Sequence, residues 1–247
     1  MTVLPITPLR DLAHAQSLLP PDLQDHLLVR ERIGPWFRHP FVNGPVPSAD
    51  RLADIPAAVA AKRAIYKEHV AAGDYAAALF VVERPFRPDF LLELMGALGV
   101  DPLLPAVGFA WCDTEAGFAW QWDDIWWRVT YSGDDLRPNR LDVMTAEDRA
   151  TYDALPETFI VYRGFSREGG EAGRSWTLDR AKAEWFAQRV AGPDEPPRVA
   201  TMEIHKSAAL AYFSDRGEAE IVLDDFCIAD DAPFAEIEEI EDEAEAA

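Results

Sequence analysis

The pattern of apolar and polar positions predicts β-strands in the C-terminal third of the chain. Phe159–Tyr162 is a β-branched and aromatic run that ends at Arg163 and Gly164. Glu218–Leu223 begins polar and becomes continuously apolar, as a buried strand with one solvated end does. Arg198–Ile204 predicts a further strand. Polar residues at the ends of such strands can converge only if the strands share one sheet.

A helix is predicted between these strands, over Leu178–Val190. Apolar residues recur there at helical spacing. Ala181, Trp185 and Val190 fall near one face, with Phe186 beside them, so we expect this face to be the buried one; for Trp185 the alternative of stacking on a ligand stays open.

The first half of the chain is predicted to be helical. Ala57–Ala72 is the clearest helix, because it is rich in alanine, follows Pro56 and ends before Gly73. Asp22–Arg32 is predicted to form a short helix, and the proline- and glycine-containing stretch Gly34–Pro47 an ordered loop. Further short helices are expected over Asp74–Leu98 and Asp101–Cys112.

Together these elements predict an α+β fold with a mostly helical N-terminal region. The change from helices to strands follows a short helix that begins at Thr145 with a capping-box-like start. We therefore expect a helical domain over residues 1–150 and a small domain with a mostly antiparallel sheet over residues 151–235. Residues 236–247 are expected to be an acidic tail, solvated and either disordered or a frayed helix.

Four tryptophans lie close together in the chain, with two aspartates among them, and two interpretations stay open. The alternation of bulk and charge favours packing in the core of the helical domain. The other interpretation is a surface for stacking or for docking a partner. These tryptophans are Trp120, Trp122, Trp126 and Trp127.

The charge of the chain excludes some classes of function. It has 44 acidic and 23 basic side chains and a formal net charge of −21, which argues against a protein that coats nucleic-acid phosphates. Cys112 and Cys227 predict reduced thiols rather than a disulfide framework. The sequence shows no signal-peptide pattern and no apolar run of membrane-spanning length, so we expect a cytoplasmic protein.

Several common motifs are absent from the sequence. It contains no GxGxxG, no P-loop lysine motif and no GxSxG elbow. The five histidines are scattered without metal-ligand spacing, so we expect no metal site. Gly169, Gly170 and Gly173 predict a flexible turn rather than a phosphate cradle.

A set of polar residues beside the predicted strands remains. Arg163 offers a forked donor for phosphate oxygens, and Gly164 allows a flat group to approach the backbone closely. Ser175 and Thr177 project from one face of an extended segment.

Two carboxylates, those of Glu218 and Glu220, are predicted to share one face of the last strand. Side by side, they could stabilise an oxocarbenium-like centre and orient a nucleophile. The whole set suits an anionic substrate that carries a positive charge and a leaving group.

These three pieces resemble the ADP-ribosyltransferases of the Arg-Ser-Glu class, the clan of many bacterial toxins and of eukaryotic arginine-modifying ectoenzymes. Tyr162-Arg163-Gly164 resembles the first strand of the family, Ser175-Trp176-Thr177 its Ser-Thr-Ser element, and Glu218-Ala219-Glu220 its Glu-x-Glu strand. The order along the chain is the same. The family usually has a small residue where this chain has tryptophan, and the resemblance covers about a third of the chain.

The resemblance implies a glycosyltransferase that moves ADP-ribose from NAD, its substrate, to a macromolecular acceptor and releases nicotinamide. It implies a small domain whose sheet splits around an NAD cleft. Glu220 would stabilise the oxocarbenium, Arg163 would hold a phosphate or ribose of NAD, and Ser175 would order the site around the nicotinamide ribose. Glu218 would orient the acceptor. The implied NAD-binding residues are Arg163, Gly164, Ser175, Trp176, Thr177 and Glu220.

Two alternative functions remain open. The first is an NAD glycohydrolase, which uses water as the acceptor. The second is a non-enzymatic acidic protein that blocks a basic surface by mimicking nucleic-acid charge. The acceptor would be a protein or a nucleic acid, with no membrane involved. The helical region would hold the acceptor, dock an inhibitory partner protein or shield the sheet, and the clan implies a toxin.

Overall fold

The computed structural model describes residues 12–114, 119–224 and 236–240. Its internal contacts divide the chain into two units between Arg128 and Val129. This division falls earlier than the expected boundary at residue 150, because the helix Ala146–Ala154 (α7) contacts a strand of the second unit.

The first unit contains a small sheet where the sequence predicted a helix and a loop. The helix predicted over Asp22–Arg32 is wrong, since a 3₁₀ turn at Pro21–His26 leads directly into a strand. The loop predicted over Gly34–Pro47 is also wrong: burial alternates along the second strand, as it does in a half-buried sheet. The strands form an antiparallel meander of β1 (Leu27–Arg30), β2 (Gly34–His39) and β3 (Val42–Pro45).

Among the described residues, six helices lie wholly or mainly in the first unit. The predicted helix over Ala57–Ala72 is confirmed, although it begins earlier, where the Ser48 hydroxyl accepts a bond from the Arg51 N–H. It ends at Gly73, whose φ of 75° suits glycine. No helix within the described ranges is long and apolar enough to cross a bilayer. The helices are α1 (Leu12–Ser17), α2 (Ala49–Ala72), α3 (Tyr75–Val81), α4 (Arg87–Leu98), α5 (Leu104–Asp113) and α6 (Ala119–Thr130).

The tryptophans of α6 divide between core and surface. Trp122 and Trp126 are buried and contact Trp111 of α5 edge to face. Trp120 and Trp127 are 64% and 52% exposed. The core interpretation therefore holds for the first pair only. Cys112 of α5 is half-buried, and Cys227 lies outside the described residues.

The second unit is built on a six-stranded sheet in which every neighbouring pair of strands is antiparallel. The chain is therefore α+β. The strand order is β11-β8-β6-β7-β10-β9, and a two-stranded hairpin of β4 and β5 precedes them in the chain. The strands are β4 (Tyr131–Ser132), β5 (Asp135–Leu136), β6 (Thr158–Phe165), β7 (Ser175–Thr177), β8 (Arg198–His205), β9 (Ala209–Phe213), β10 (Glu220–Leu223) and β11 (Glu236–Glu239).

The start of the acidic tail is a strand, so the prediction of a disordered or helical tail is wrong for Glu236–Glu239. This segment, β11, pairs with β8 along the edge of the sheet. Its carboxylates Glu238 and Glu239 form ion pairs with Arg180 and Arg198, which adds charge complementarity to the backbone ladder. Residues 241–247 lie outside the described part of the chain.

The helix predicted over Leu178–Val190 is confirmed as α8 (Arg180–Val190), but its predicted buried face is wrong. Ala183 and Ala187 are the buried residues, whereas Trp185 and Val190 are about half exposed. The cause is the close approach of α8 to β6 at Gly164. A Cβ atom at Gly164 would lie 1.9 Å from the Ala183 carbonyl oxygen, so only small side chains fit between helix and sheet.

Candidate functional site

All seven of the predicted site residues line one cavity of about 210 Å³ in the second unit. They come from β6, from β7, and from the turn before β10 together with the first residue of that strand. Three further residues complete the lining: Tyr162 of β6, and Ala183 and Phe186 of α8. The sequence analysis did not predict these three as site residues. Ala183 and Phe186 are three residues apart, and this spacing was the sequence signal that they share one face of a helix.

The sheet opens beside this cavity. β7 pairs with β10 along its length, with Glu220 opposite Thr177. β6 and β7 share only one pair, Tyr162 with Thr177, although β6 continues to Phe165. The two strands therefore separate at Arg163, the residue of β6 that follows this pair.

Arg163 spans this gap with its side chain. Its Nε donates to the Gly170 carbonyl oxygen at 2.7 Å, and its Nη1 donates to the Ser175 carbonyl oxygen. Gly173 leaves room for the guanidinium, because a Cβ atom there would lie 2.1 Å from Nη2. The glycines predicted to form a flexible turn thus hold the arginine in place, and the guanidinium keeps further N–H donors for a substrate.

The environment of Arg163 disfavours its positive charge, because the guanidinium is buried. Burial lowers the pKa of Arg163, and the nearby carboxylates of Glu220 and Glu171 oppose this shift. Because an arginine stays protonated in proteins, the cavity wall carries a fixed positive charge beside the Glu220 carboxylate. Such a pair of opposite charges can bind an anionic group and stabilise a developing cation.

Glu218 does not lie on a strand, so the prediction that Glu218 and Glu220 share one strand face is wrong. β10 begins at Glu220, and the two preceding residues form a turn in which Ala219 has a φ of 45°. The Thr177 hydroxyl donates to the Glu218 carbonyl oxygen at 2.6 Å, and the Leu178 N–H donates to the Ala219 carbonyl oxygen at 3.1 Å. These bonds keep both carboxylates at the cavity despite the turn.

The same turn is anchored at its other end by a buried carboxylate. Asp148 of α7 accepts bonds from the N–H and the hydroxyl of Ser214, at 3.0 and 2.6 Å. The second oxygen of Asp148 accepts from the hydroxyl of Thr145, the residue that caps α7. The sequence showed only the capping pattern, since the contact with Ser214 is long-range.

Three of the predicted NAD-binding residues also have structural roles. The buried Thr177 hydroxyl donates to Glu218 and accepts from the Asp179 N–H. Trp176 is 2% exposed, and its Nε1 donates to the Gly173 carbonyl oxygen at 2.8 Å, so its indole belongs to the interior. The missing side chain of Gly164 accommodates α8. Thr177 and Trp176 therefore position the cavity wall more than they offer contacts to a ligand.

Comparisons with known proteins identified no relative of this chain. No family model, no curated protein and no solved structure matches this chain. Within the described residues, no group of three or more histidine, cysteine, aspartate or glutamate side chains could hold a metal ion. The cavity and its residues are therefore the basis for inferring a function.

Proposed function

We propose that this protein is a mono-ADP-ribosyltransferase that uses NAD and releases nicotinamide. The observation that carries the proposal is the convergence of three separate pieces of sequence on one cavity. Arg163, Ser175 and Glu220 come from three neighbouring strands, and all line that cavity. Each also belongs to a motif that resembles the Arg-Ser-Glu class.

The proposed reaction breaks the bond between C1′ of the ribose and the nicotinamide nitrogen. The electron pair of that bond leaves with nicotinamide, which becomes neutral, and positive charge develops on the ribose. Glu220 stabilises this oxocarbenium and binds the ribose 2′-hydroxyl, in line with the general strength of preorganised charge in a partly desolvated site. Arg163 holds the anionic part of NAD, and Ser175 orders the nicotinamide ribose.

The acceptor then forms a bond to C1′ and loses a proton. Glu218 is suited to orient this acceptor, because it lies on the turn that precedes β10 and not within the strand itself. The hydrogen bonds from Thr177 and Leu178 fix the turn. A positioned carboxylate contributes a large part of the rate enhancement of such a reaction, since the rate depends mainly on orientation and electrostatics.

The decisive experiment measures nicotinamide release from NAD by the purified protein, with and without cell lysate. Glu220→Gln should reduce release by about 100-fold or more while circular dichroism stays unchanged. Glu203→Gln, at an exposed position on β8, is the matched control and should leave release unchanged.

The outcome also separates the alternatives. Lysate-dependent release together with labelling of a macromolecule supports the transferase. Equal release without lysate indicates the glycohydrolase. The enzyme proposal fails if neither release nor NAD binding is detected, and an acidic binding protein then remains.

A further inference from the structure

α8 carries cationic and aromatic side chains beside the residues of the helix that line the cavity. At 100° per residue, Lys182 and Arg189 lie about 40° and 60° around the helix from Phe186, which lines the cavity. Trp185 follows at about 100° from Phe186, on the exposed side of the helix. Ala183, at the centre of the buried face, also lines the cavity. This flank therefore continues from the cavity lining to the helix surface.

Trp185 is the centre of this flank. It is 51% exposed and contacts Phe186 edge to face, with ring centroids 5.0 Å apart. The Lys182 Nζ lies 5.5 Å from its ring centroid, and the Arg189 guanidinium carbon lies 5.3 Å from it. An exposed indole beside two cations is a combination that binds a planar base joined to phosphates.

Lys182 and Arg189 differ in their ion pairing from Arg180, the arginine on the opposite flank of α8. Arg180 pairs with Glu184 and with Glu238 of β11. No carboxylate among the described residues forms an ion pair with Lys182 or Arg189. In a chain with a net charge of −21, two such cations beside a cavity are available for an anion.

The size of the cavity requires a second binding surface for a dinucleotide. The cavity measures about 210 Å³, whereas pockets that bury a drug-sized ligand measure roughly 300–1,000 Å³. NAD is larger than such a ligand. A cavity of this size can hold the nicotinamide ribose and the phosphate next to it, which Arg163 binds, and the adenine nucleotide half must then bind outside it.

We infer that Trp185, Lys182 and Arg189 form the binding surface for the adenine nucleotide half of NAD. The adenine ring stacks on the indole and displaces one of the two flexible cationic side chains, and the cations pair with the phosphate of the adenine nucleotide half. This inference rests on the proposed function, because it takes NAD as the substrate. It adds three specificity-determining residues to the site.

The test measures binding of ADP and of nicotinamide mononucleotide to the full chain by titration calorimetry. Trp185→Leu should weaken binding of ADP by roughly 10-fold, the usual effect of losing a stacked base, and leave binding of nicotinamide mononucleotide unchanged. Lys182→Gln with Arg189→Gln should weaken ADP binding most at low salt. Trp120→Leu removes an exposed tryptophan of the first unit and is the matched control.

Kinetics distinguish failure of this inference from failure of the proposed function. Trp185→Leu should raise the KM for NAD about 10-fold and leave kcat unchanged. ADP binding that depends on Trp185, without any nicotinamide release, supports the adenine site and overturns the transferase. Nicotinamide release whose KM is the same in wild type and Trp185→Leu overturns the adenine site alone.

Discussion

The Arg163 guanidinium donates a hydrogen bond to the Ser175 carbonyl oxygen across the gap between β6 and β7. The two residues that begin the Arg-Ser-Glu pattern are thus joined directly, through a side chain and a backbone oxygen. The bond takes the place of strand pairing where the ladder ends. Arg163 is for this reason both a structural bridge and a candidate ligand for the phosphates of NAD.

Gly173→Ala should displace this bridge. The added Cβ atom would lie 2.1 Å from Nη2 of Arg163, so the guanidinium must leave its two carbonyl partners. We expect nicotinamide release to fall at least about 10-fold, since a small misplacement in a site is costly. Gly44→Ala, where a Cβ atom meets nothing within 4 Å, is the control. Normal release by Gly173→Ala would show that the position of Arg163 is unimportant.

Gly164→Ala should destabilise the second unit. A Cβ atom there would lie 1.9 Å from the Ala183 carbonyl oxygen and 2.6 Å from the Ala187 nitrogen, so α8 must move away from β6. Overpacking of this kind costs about 1–3 kcal/mol, which urea unfolding can measure. Gly192→Ala, in open space in the same unit, should change the free energy of unfolding little. Equal effects of the two substitutions would contradict the tight contact between α8 and β6.

Thr177→Val should loosen the turn that carries Glu218. The substitution keeps the shape of the side chain but removes the bonds to the Glu218 carbonyl oxygen and from the Asp179 N–H. We expect a loss of about 1–3 kcal/mol in unfolding free energy and a larger loss of ADP-ribose transfer than of nicotinamide release. Thr177→Ser should restore both. If transfer and release fall by the same factor, Glu218 has no separate role toward the acceptor.

His39 of the first unit should make stability depend on pH. Burial, together with the charges of His26 and Arg63, lowers the pKa of His39 from 6.5 to about 4, and its Nδ1 accepts the Phe41 N–H. Below pH 6.5 the unfolded chain therefore binds a proton that the folded chain does not. The free energy of unfolding should fall between pH 6.5 and 4, by at most about 1.4 kcal/mol per pH unit.

His39→Asn tests this dependence, because the asparagine oxygen can accept the same N–H without titrating. Urea unfolding at pH 7 and pH 5 should give a smaller difference in this variant than in the wild type. Identical differences would mean that His39 does not contribute to the acid sensitivity.

The parts of the fold that the sequence predicted are those with a continuous local signal. The apolar runs in β6, β8 and β10 identified the central strands, and Gly73 identified the end of α2. β2 and β3 were missed, because their prolines and glycines resemble loop punctuation, and β1 was predicted as part of a helix. The strand at the start of the tail, β11, was missed because its pairing with β8 depends on residues far away in the chain.

The site was predictable by residue but not by geometry. The motifs named seven of the ten residues that line the cavity, yet the close contact at Gly164 and the positive φ of Ala219 depend on neighbours far along the chain. The hydrogen bond by which Asp148 anchors the turn also joins residues that are far apart in the chain. Trp185 was expected to face the interior, and the narrow space beneath α8 places it at the surface instead.

The two edge strands of the six-stranded sheet are protected from pairing with a further strand in different ways. β9 forms one edge, and all five of its residues are buried, with α7 in contact with it. β11 forms the other edge and presents Glu236, Glu238 and Glu239, all exposed. Charged side chains along an exposed edge strand disfavour the docking of a further strand, a device that limits edge-to-edge aggregation. Part of the acidity of this chain therefore keeps the sheet from growing.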